Sequence, residues 1–217
     1  YILGFFTRDD YTVPGFMNDP TSNEVLARHR LQPPLAPRSV AVVGASTRDG
    51  SYGNRAVKEL VAGGYRGKIF AVNPRYESVE GFQCFDSLDS LEELPELVQF
   101  CVANERLETQ FELAASLDVP AAIVYGSCYL PNDTPGNTLL GRLTTLAHET
   151  GMQVCGGNCM GYRNLHAGVL AGTYRTSGTE IAPGPAVLIS HSGTAFSWDS
   201  VRPRGAHVED QASPGQR

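Results

Sequence analysis

From Ser39 onward the chain alternates short apolar runs with amphipathic stretches, and this alternation narrows the possible folds more than any other feature. Ser39–Val43 (SVAVV) opens the pattern and is closed at once by Gly44. A run apolar at nearly every position suits a strand buried on both faces, as in a parallel sheet. Asn54–Ala62 then carries Ala56, Val57, Leu60 and Val61 at helical spacing and stops at Gly63-Gly64, a good C-cap. Lys68–Val72 (KIFAV), Leu97–Val102 (LVQFCV), Ala121–Tyr125 (AAIVY) and Met152–Cys155 read as further strands. Glu105–Leu117 and Asn137–Thr150 read as helices between them. Such alternation implies right-handed crossovers, so the expected fold is α/β, a Rossmann-like doubly wound parallel sheet.

The flanks read differently. Residues 1–36 form an extension with little to fold: Asp9, Asp10, Pro14, Asn18, Asp19 and Pro20 are turn formers, and only Asn23–His29 suits a short helix. Pro33, Pro34 and Pro37 read as a stiff connector into the domain, which is expected over residues 37–182. Ala167–Thr179, near its end, has no clear period. Pro183-Gly184-Pro185 then punctuates the chain, and Ala186–Ser190 (AVLIS) looks like a fresh first strand. From Ser200 the apolar pattern fails, so residues 183–217 read as the truncated start of a second α/β domain. The first residue is Tyr1 rather than Met, which suggests a fragment or a processed form.

Charge and cysteine usage exclude several classes. With 17 Lys and Arg against 23 Asp and Glu, the net charge of −6 argues against a nucleic-acid backbone binder, which needs a basic face. No apolar run approaches the roughly 20 residues of a membrane span. Five cysteines make no dense framework and suit a reducing cytoplasm. Cys155 and Cys159 are spaced C-x₃-C, but no second pair or histidine pattern completes a zinc site, so no metal is expected. Cys84, Cys101 and Cys128 fall in or beside strands, where a thiol is usually a small hydrophobe. Asp86, Asp89, Glu92, Glu93 and Glu96 read as a solvated loop and short helix pinned by Leu88, Leu91 and Leu94.

Ligands of doubly wound sheets sit at the carboxyl ends of the strands. The loop there runs from Gly44 to Asn54. Gly44 lets the backbone turn tightly, Ser46 and Thr47 add hydroxyls, and the following helix start offers positive potential to a phosphate. A plain glycine-rich strand-to-helix connection is the simpler alternative. A nicotinamide dinucleotide fits poorly, because Gly44-x-Ser46 stands where that fingerprint needs G-x-G. The second strand ends in Val72-Asn73-Pro74-Arg75, with no acidic residue for a ribose 2′-hydroxyl. Arg75 favours an extra phosphate on the ribose, as in NADP or the 3′-phosphate of coenzyme A.

SVAVVGAS at 39–46, GYRGKIFAVNPRY at 64–76, GFQCFDSLDSLEELP at 81–95, VAN at 102–104 and GGNCMG at 156–161 together resemble the CoA-binding domain of NDP-forming acyl-CoA synthetases. That family includes ADP-forming acetate–CoA ligase and the α subunit of succinyl-CoA synthetase. The resemblance runs from about Leu35 to Ser197. It implies a CoA-binding Rossmann-like domain followed by a flavodoxin-like domain with part of the phosphoryl-transfer machinery. Position by position, it implies that Gly44, Ala45, Ser46 and Thr47 surround the CoA phosphates, with Asn73, Pro74 and Arg75 near the adenosine end. Val102, Ala103 and Asn104 match the family's V-P-A turn, with Ala103 in place of proline. Gly126 and Ser127 match a small-residue loop. Asn158 and Cys159 match the N-C of G-P-N-C-x-G, with Gly157 in place of proline. Ser190, Ser192, Gly193 and Thr194 match a phosphate-binding S-x-S-G loop, for which a serine-rich helix cap is the simpler alternative.

The resemblance further implies a reaction in which an acyl phosphate forms, CoA attacks it, and the phosphoryl group passes through a histidine to a nucleoside diphosphate. None of His29, His148, His166, His191 and His207 lies in the glycine-flanked context of that histidine, and the nucleotide-grasp domain that handles ATP or ADP with Mg is not expected within these residues. No catalytic residue is therefore expected in this chain. The leading expectation is the CoA-binding portion of an acid–CoA ligase, inactive alone, whose partners are CoA, a small carboxylic acid or acyl-CoA, and a nucleotide-grasp domain or subunit. The alternatives are a non-catalytic CoA-binding or sensing module, including one attached to an acyltransferase, and an NADP-dependent oxidoreductase domain.

Overall fold

In a computed structural model, residues 29–173 and 189 are described. All of them except Ile189 belong to the compact unit Tyr1–Pro183; Gly184–Arg217 forms a second unit. The expected strand Ala186–Ser190, the expected helix Asn23–His29 apart from its last residue, and the Ser190, Ser192, Gly193 and Thr194 loop lie outside the described residues.

The first described element is one helical turn, α1 (Gln32–Leu35), in the segment expected to be only a stiff connector. Pro33 and Pro34, its second and third residues, are compatible with this, because the first turn needs no N–H donors. Then follow β1 (Ser39–Val43), α2 (Tyr52–Ala62) and β2 (Lys68–Val72), close to the sequence reading. The remaining sheet strands are β3 (Ser78–Val79), β4 (Phe82–Phe85), β5 (Leu97–Phe100), β6 (Ala121–Val124) and β7 (Gln153–Gly156). Helices α3 (Asn104–Ser116) and α4 (Leu139–Thr150) connect β5 to β6 and β6 to β7. The acidic stretch contains a single 3₁₀ turn, Leu88–Ser90, pinned by buried Leu88.

The seven strands are ordered β3-β4-β2-β1-β5-β6-β7, all parallel except β3, which pairs antiparallel with β4. The chain moves one way from β1 to β2 and the other way from β1 to β5, which puts the topological switch beside the carboxyl end of β1. A separate hairpin joins β8 (Gly161–Asn164) to β9 (Val169–Gly172). β9 corrects the reading of Ala167–Thr179 as patternless.

Alternate strand residues point to opposite faces. Ala41, Val43, Val98, Phe100, Ala122 and Val124 pack under α3 and α4, with Phe111, Leu107, Leu139 and Leu143 above them. Val40, Val42, Leu97, Ala121 and Ile123 pack on the other face under Ala56, Val57 and Leu60 of α2 and under Val169 and Ala171 of β9. The rings of Phe100 and Phe111 meet at 5.6 Å, a contact worth about 0.5–1.5 kcal/mol beyond the area it buries. Buried Gln99 interrupts the apolar lining of β5; its Oε1 accepts from the Tyr125 hydroxyl at 2.5 Å.

Candidate functional site at the carboxyl ends of the strands

Gly44 has φ +88°, and a Cβ there would lie 2.6 Å from the Cys101 carbonyl oxygen and 3.0 Å from a Val102 methyl. The end of β1 therefore meets the turn after β5 at a position only glycine can fill. Gly53, in the first turn of α2, packs directly on the Gly44 carbonyl, where a Cβ would overlap it. These two close approaches bring the start of α2 onto the strand end without a G-x-G sequence.

The loop between them is braced from its neighbours. Asn73 Nδ2 donates to the Ala45 carbonyl at 2.7 Å, and Asn54 Nδ2 donates to the Ser46 carbonyl at 3.1 Å and to Glu80 at 2.6 Å. Ser51 caps α2 by accepting from the Asn54 N–H. The Ser46 hydroxyl accepts from the Arg48 N–H at 3.0 Å and lies 3.4 Å from the Tyr76 hydroxyl. No hydrogen bond among the described residues engages the N–H of Ser46 or of Thr47. Hydrogen bonds from Ser46 and Thr47 lower the Tyr76 phenol below its ordinary range, and the nearby Arg75 and Arg48 charges lower it further. Free N–H groups, a helix start and two guanidinium groups make this loop receptive to phosphate.

The predicted residues fall into two groups along the strand ends. Gly44, Ser46, Thr47, Asn73, Pro74 and Arg75 surround the loop, with Thr47, Pro74 and Arg75 exposed. Ala45 turns its methyl into the core, so its backbone alone faces the loop. The second group forms around Asn104. Its Nδ2 donates to the Ser127 hydroxyl at 2.9 Å and to the Tyr129 carbonyl at 2.8 Å, and its Oδ1 accepts from the Cys128 N–H at 3.2 Å. Asn104 is the first residue of α3 rather than part of a turn, and Ala103 is the cap. Val102 lies beyond β5, although its apolar side chain still packs on the core, which explains the overlong strand reading. The Asn158 N–H donates to the Gly126 carbonyl at 2.6 Å, so the 157–159 segment rests on the 126–128 loop. Asn158 has φ +58°, and the Gly156–Gly157 peptide is cis. The Cys159 thiol donates to the carbonyls of Val124 and Cys155, each at 3.4 Å.

Beside this second group lies a cleft of about 160 Å³ that the sequence did not reveal, lined by Tyr52, Arg55, Tyr125, Asn158, Cys159, Met160 and Thr173. Tyr52 is 60% exposed and parallel to Tyr125, with ring centroids 6.5 Å apart. Arg55 Nε is buried without an acceptor. Convergence of α2 with the segments that follow β6, β7 and β9 leaves no spacing signal to read. A larger groove of about 430 Å³, lined by Glu108, Glu112, Arg142 and Glu149, lies on α3 and α4 rather than at the strand ends, and its carboxylates disfavour an anion.

Among the described residues, no cluster of three or more His, Cys, Asp or Glu could hold a metal, and no helix is long and apolar enough to cross a membrane. His148 sits in the last turn of α4; His191 and His207 lie outside the described residues.

Comparison with known proteins matches residues 38–164 to the CoA binding domain family. The chain is 29% identical over 159 residues to an ADP-forming acetate–CoA ligase I of Archaeoglobus fulgidus, covering 72% of this chain and 22% of that protein. It is also 29% identical over 162 residues to the α subunit of an ADP-forming acetate–CoA ligase I of Pyrococcus furiosus, covering 72% of this chain and 34% of the subunit. A solved dinucleotide-forming acetyl-coenzyme A synthetase 1 of Ca. Korarchaeum cryptofilum, in complex with phosphate and ADP, superposes with a TM-score of 0.59 at 25% identity. That likeness covers 66% of this chain and 30% of the synthetase. The chain thus spans between a fifth and a third of the length of these relatives. With the family match over more than half of its residues and the Rossmann-like sheet to carry it, this chain belongs to the CoA binding domain family and is homologous to ADP-forming acyl-CoA synthetases.

Proposed function

We propose that the chain binds coenzyme A as the CoA-binding portion of an NDP-forming acid–CoA ligase (acyl-CoA + NDP + phosphate ⇌ acid + CoA + NTP). The observation that carries this reading is the Gly44–Thr47 loop. Its Ser46 and Thr47 N–H groups are unengaged among the described residues, and Arg48 and Arg75 stand beside it. The CoA diphosphate would take those N–H groups, and Arg75 the 3′-phosphate. The pantetheine arm would follow the strand ends past Asn104 and Gly126, bringing its thiol to Asn158. The buried, unpartnered Arg55 Nε fits an acceptor oxygen near that end.

Turnover would need a nucleotide-grasp domain or subunit to bring the nucleoside diphosphate and Mg, and a small carboxylic acid as acyl partner. The five free thiols suit a reducing cytoplasm. Calorimetric titration of the chain with CoA, dephospho-CoA and NADPH tests the reading. CoA binding that weakens when the 3′-phosphate is lost supports it. Binding of NADPH without CoA would replace it with the oxidoreductase reading.

A further inference from the structure

We propose that the cleft beside Tyr52 is a carboxylate site, in which Arg55 holds the anion and Tyr52 and Tyr125 flank a flat apolar body of about one ring. That such an acid is the acyl partner rests on the ligase reading above; the site itself does not.

Arg55 is the residue that calls for an anion. Three arginines are half-buried among the described residues: Arg55, Arg142 and Arg163. Arg142 pairs with Glu108, and Arg163 lies 3.9 Å from Glu59. Arg55 pairs with no carboxylate among the described residues, and its Nε is buried without an acceptor. A guanidinium drawn partly out of water without a counter-ion is costly, and its planar fork matches a carboxylate. Its head lies near the loop at Gly50, where a Cβ would come 3.6 Å from Nη2, and the same side chain lines the cleft. Arg55 is the one charged group among the described residues of that lining, so no carboxylate there repels an anion. The groove lined by Glu108, Glu112 and Glu149 is the opposite case.

The walls select the rest of the ligand. Tyr125 is a fixed wall, buried and with its hydroxyl tied to Gln99 at 2.5 Å. Tyr52 lies parallel to it yet stays mostly exposed, so its ring has apolar surface left to cover. Met160 adds a polarizable thioether that suits contact with an aromatic edge. The cleft volume of about 160 Å³ is close to the roughly 150 Å³ that takes one benzene, and it is too small for a nucleotide. Asn158, where the ligase reading brings the CoA thiol, lines the same cleft. An acid held on Arg55 therefore shares the cleft with that thiol.

The test titrates the folded chain, without CoA, with phenylacetate, acetate and phenylacetamide, followed by calorimetry. Phenylacetate should bind about tenfold or more tightly than acetate, which lacks the ring, and than phenylacetamide, which lacks the charge. Arg55→Gln should erase the preference for phenylacetate over phenylacetamide, and Arg55→Lys should restore part of it. Tyr52→Ala, a change at an exposed position, should erase the preference over acetate. CoA is titrated separately. Phenylacetate binding without CoA binding keeps the site and removes the ligase reading. Phenylacetate no tighter than phenylacetamide overturns the site, and CoA binding alongside it leaves the ligase reading standing. Weaker CoA binding in Arg55→Gln, with the acid preference unchanged, would assign Arg55 to the CoA phosphates and overturn the proposal. The three wild-type titrations decide the matter by themselves, so a variant that fails to fold does not obscure it.

Discussion

At the β1–β2 end of the site, side chains brace the loop. Asn73 and Asn54 hold loop carbonyls, Ser46 meets Tyr76, and Arg48 and Arg75 supply charge. At the β6–β7 end the backbone does most of that work. The Asn158 N–H docks on the Gly126 carbonyl, and a Cβ on Gly157 would overlap the Cys128 sulfur and come within 3.0 Å of the Gly126 oxygen. The charged end should therefore tolerate single side-chain changes and show them as changes in affinity. The crowded end should register almost any added atom as a change in fold. A diphosphate needs dispersed N–H groups and cations around an open loop, whereas a thiol needs only a dry, closely fitted channel.

The most disruptive change is Gly44→Val, because Gly44 joins the end of β1 to the turn after β5. Its positive φ and the 2.6 Å approach to Cys101 should cost about 3 kcal/mol or more, read as a lower urea midpoint with an unchanged slope. A midpoint within error of wild type would mean that the strand ends are not so closely joined. Ser46→Asp strikes the charged end alone. A carboxylate facing the CoA phosphates should weaken CoA about tenfold, near 1.4 kcal/mol, in calorimetry.

Arg75→Ala sharpens the contrast further. Exposed Arg75 should lower CoA affinity about fivefold, abolish the preference over dephospho-CoA, and move stability by less than about 0.5 kcal/mol. The smallest effect lies away from both ends. The Arg142 guanidinium hydrogen-bonds Glu108 at 2.5 and 2.9 Å and holds its carboxyl below the ordinary range. A depressed folded pKa gives stability that is complete above the ordinary carboxylate value and lost as pH falls through the folded value. The gap between wild type and Glu108→Gln in urea midpoint should therefore shrink from pH 7 to pH 3, with CoA affinity at pH 7 unaffected.

The sheet was legible in the sequence because its strands are buried on both faces. β1 and β2 stand where their apolar runs end, whereas β5 and β6 stop before theirs do. Val102 and buried Tyr125 still pack on the core after the ladder has ended, so hydrophobicity alone overruns the hydrogen bonding. The β3–β4 and β8–β9 hairpins escaped notice because they are short and, in Gly161–Asn164, only half-buried at every position. At the site, Gly44 and the N-C of Asn158-Cys159 carried a signal. The bracing roles of Asn73 and Asn104 did not, because each depends on carbonyls or amides supplied by other segments. Tyr52, Arg55 and Thr173 gave none at all, since only folding brings them together.

Asn104 ties three successive residues, Ser127, Cys128 and Tyr129, to the first turn of α3, and a Cβ on Gly126 would come within 2.7 Å of its Oδ1. Positions 104 and 126 are thus constrained as one unit. A bulkier residue at 126 becomes acceptable only after 104 has shrunk, and shrinking 104 alone leaves the Cys128 amide without its acceptor. Substitution at this corner therefore has to be made as a pair, the two positions behaving as a single site.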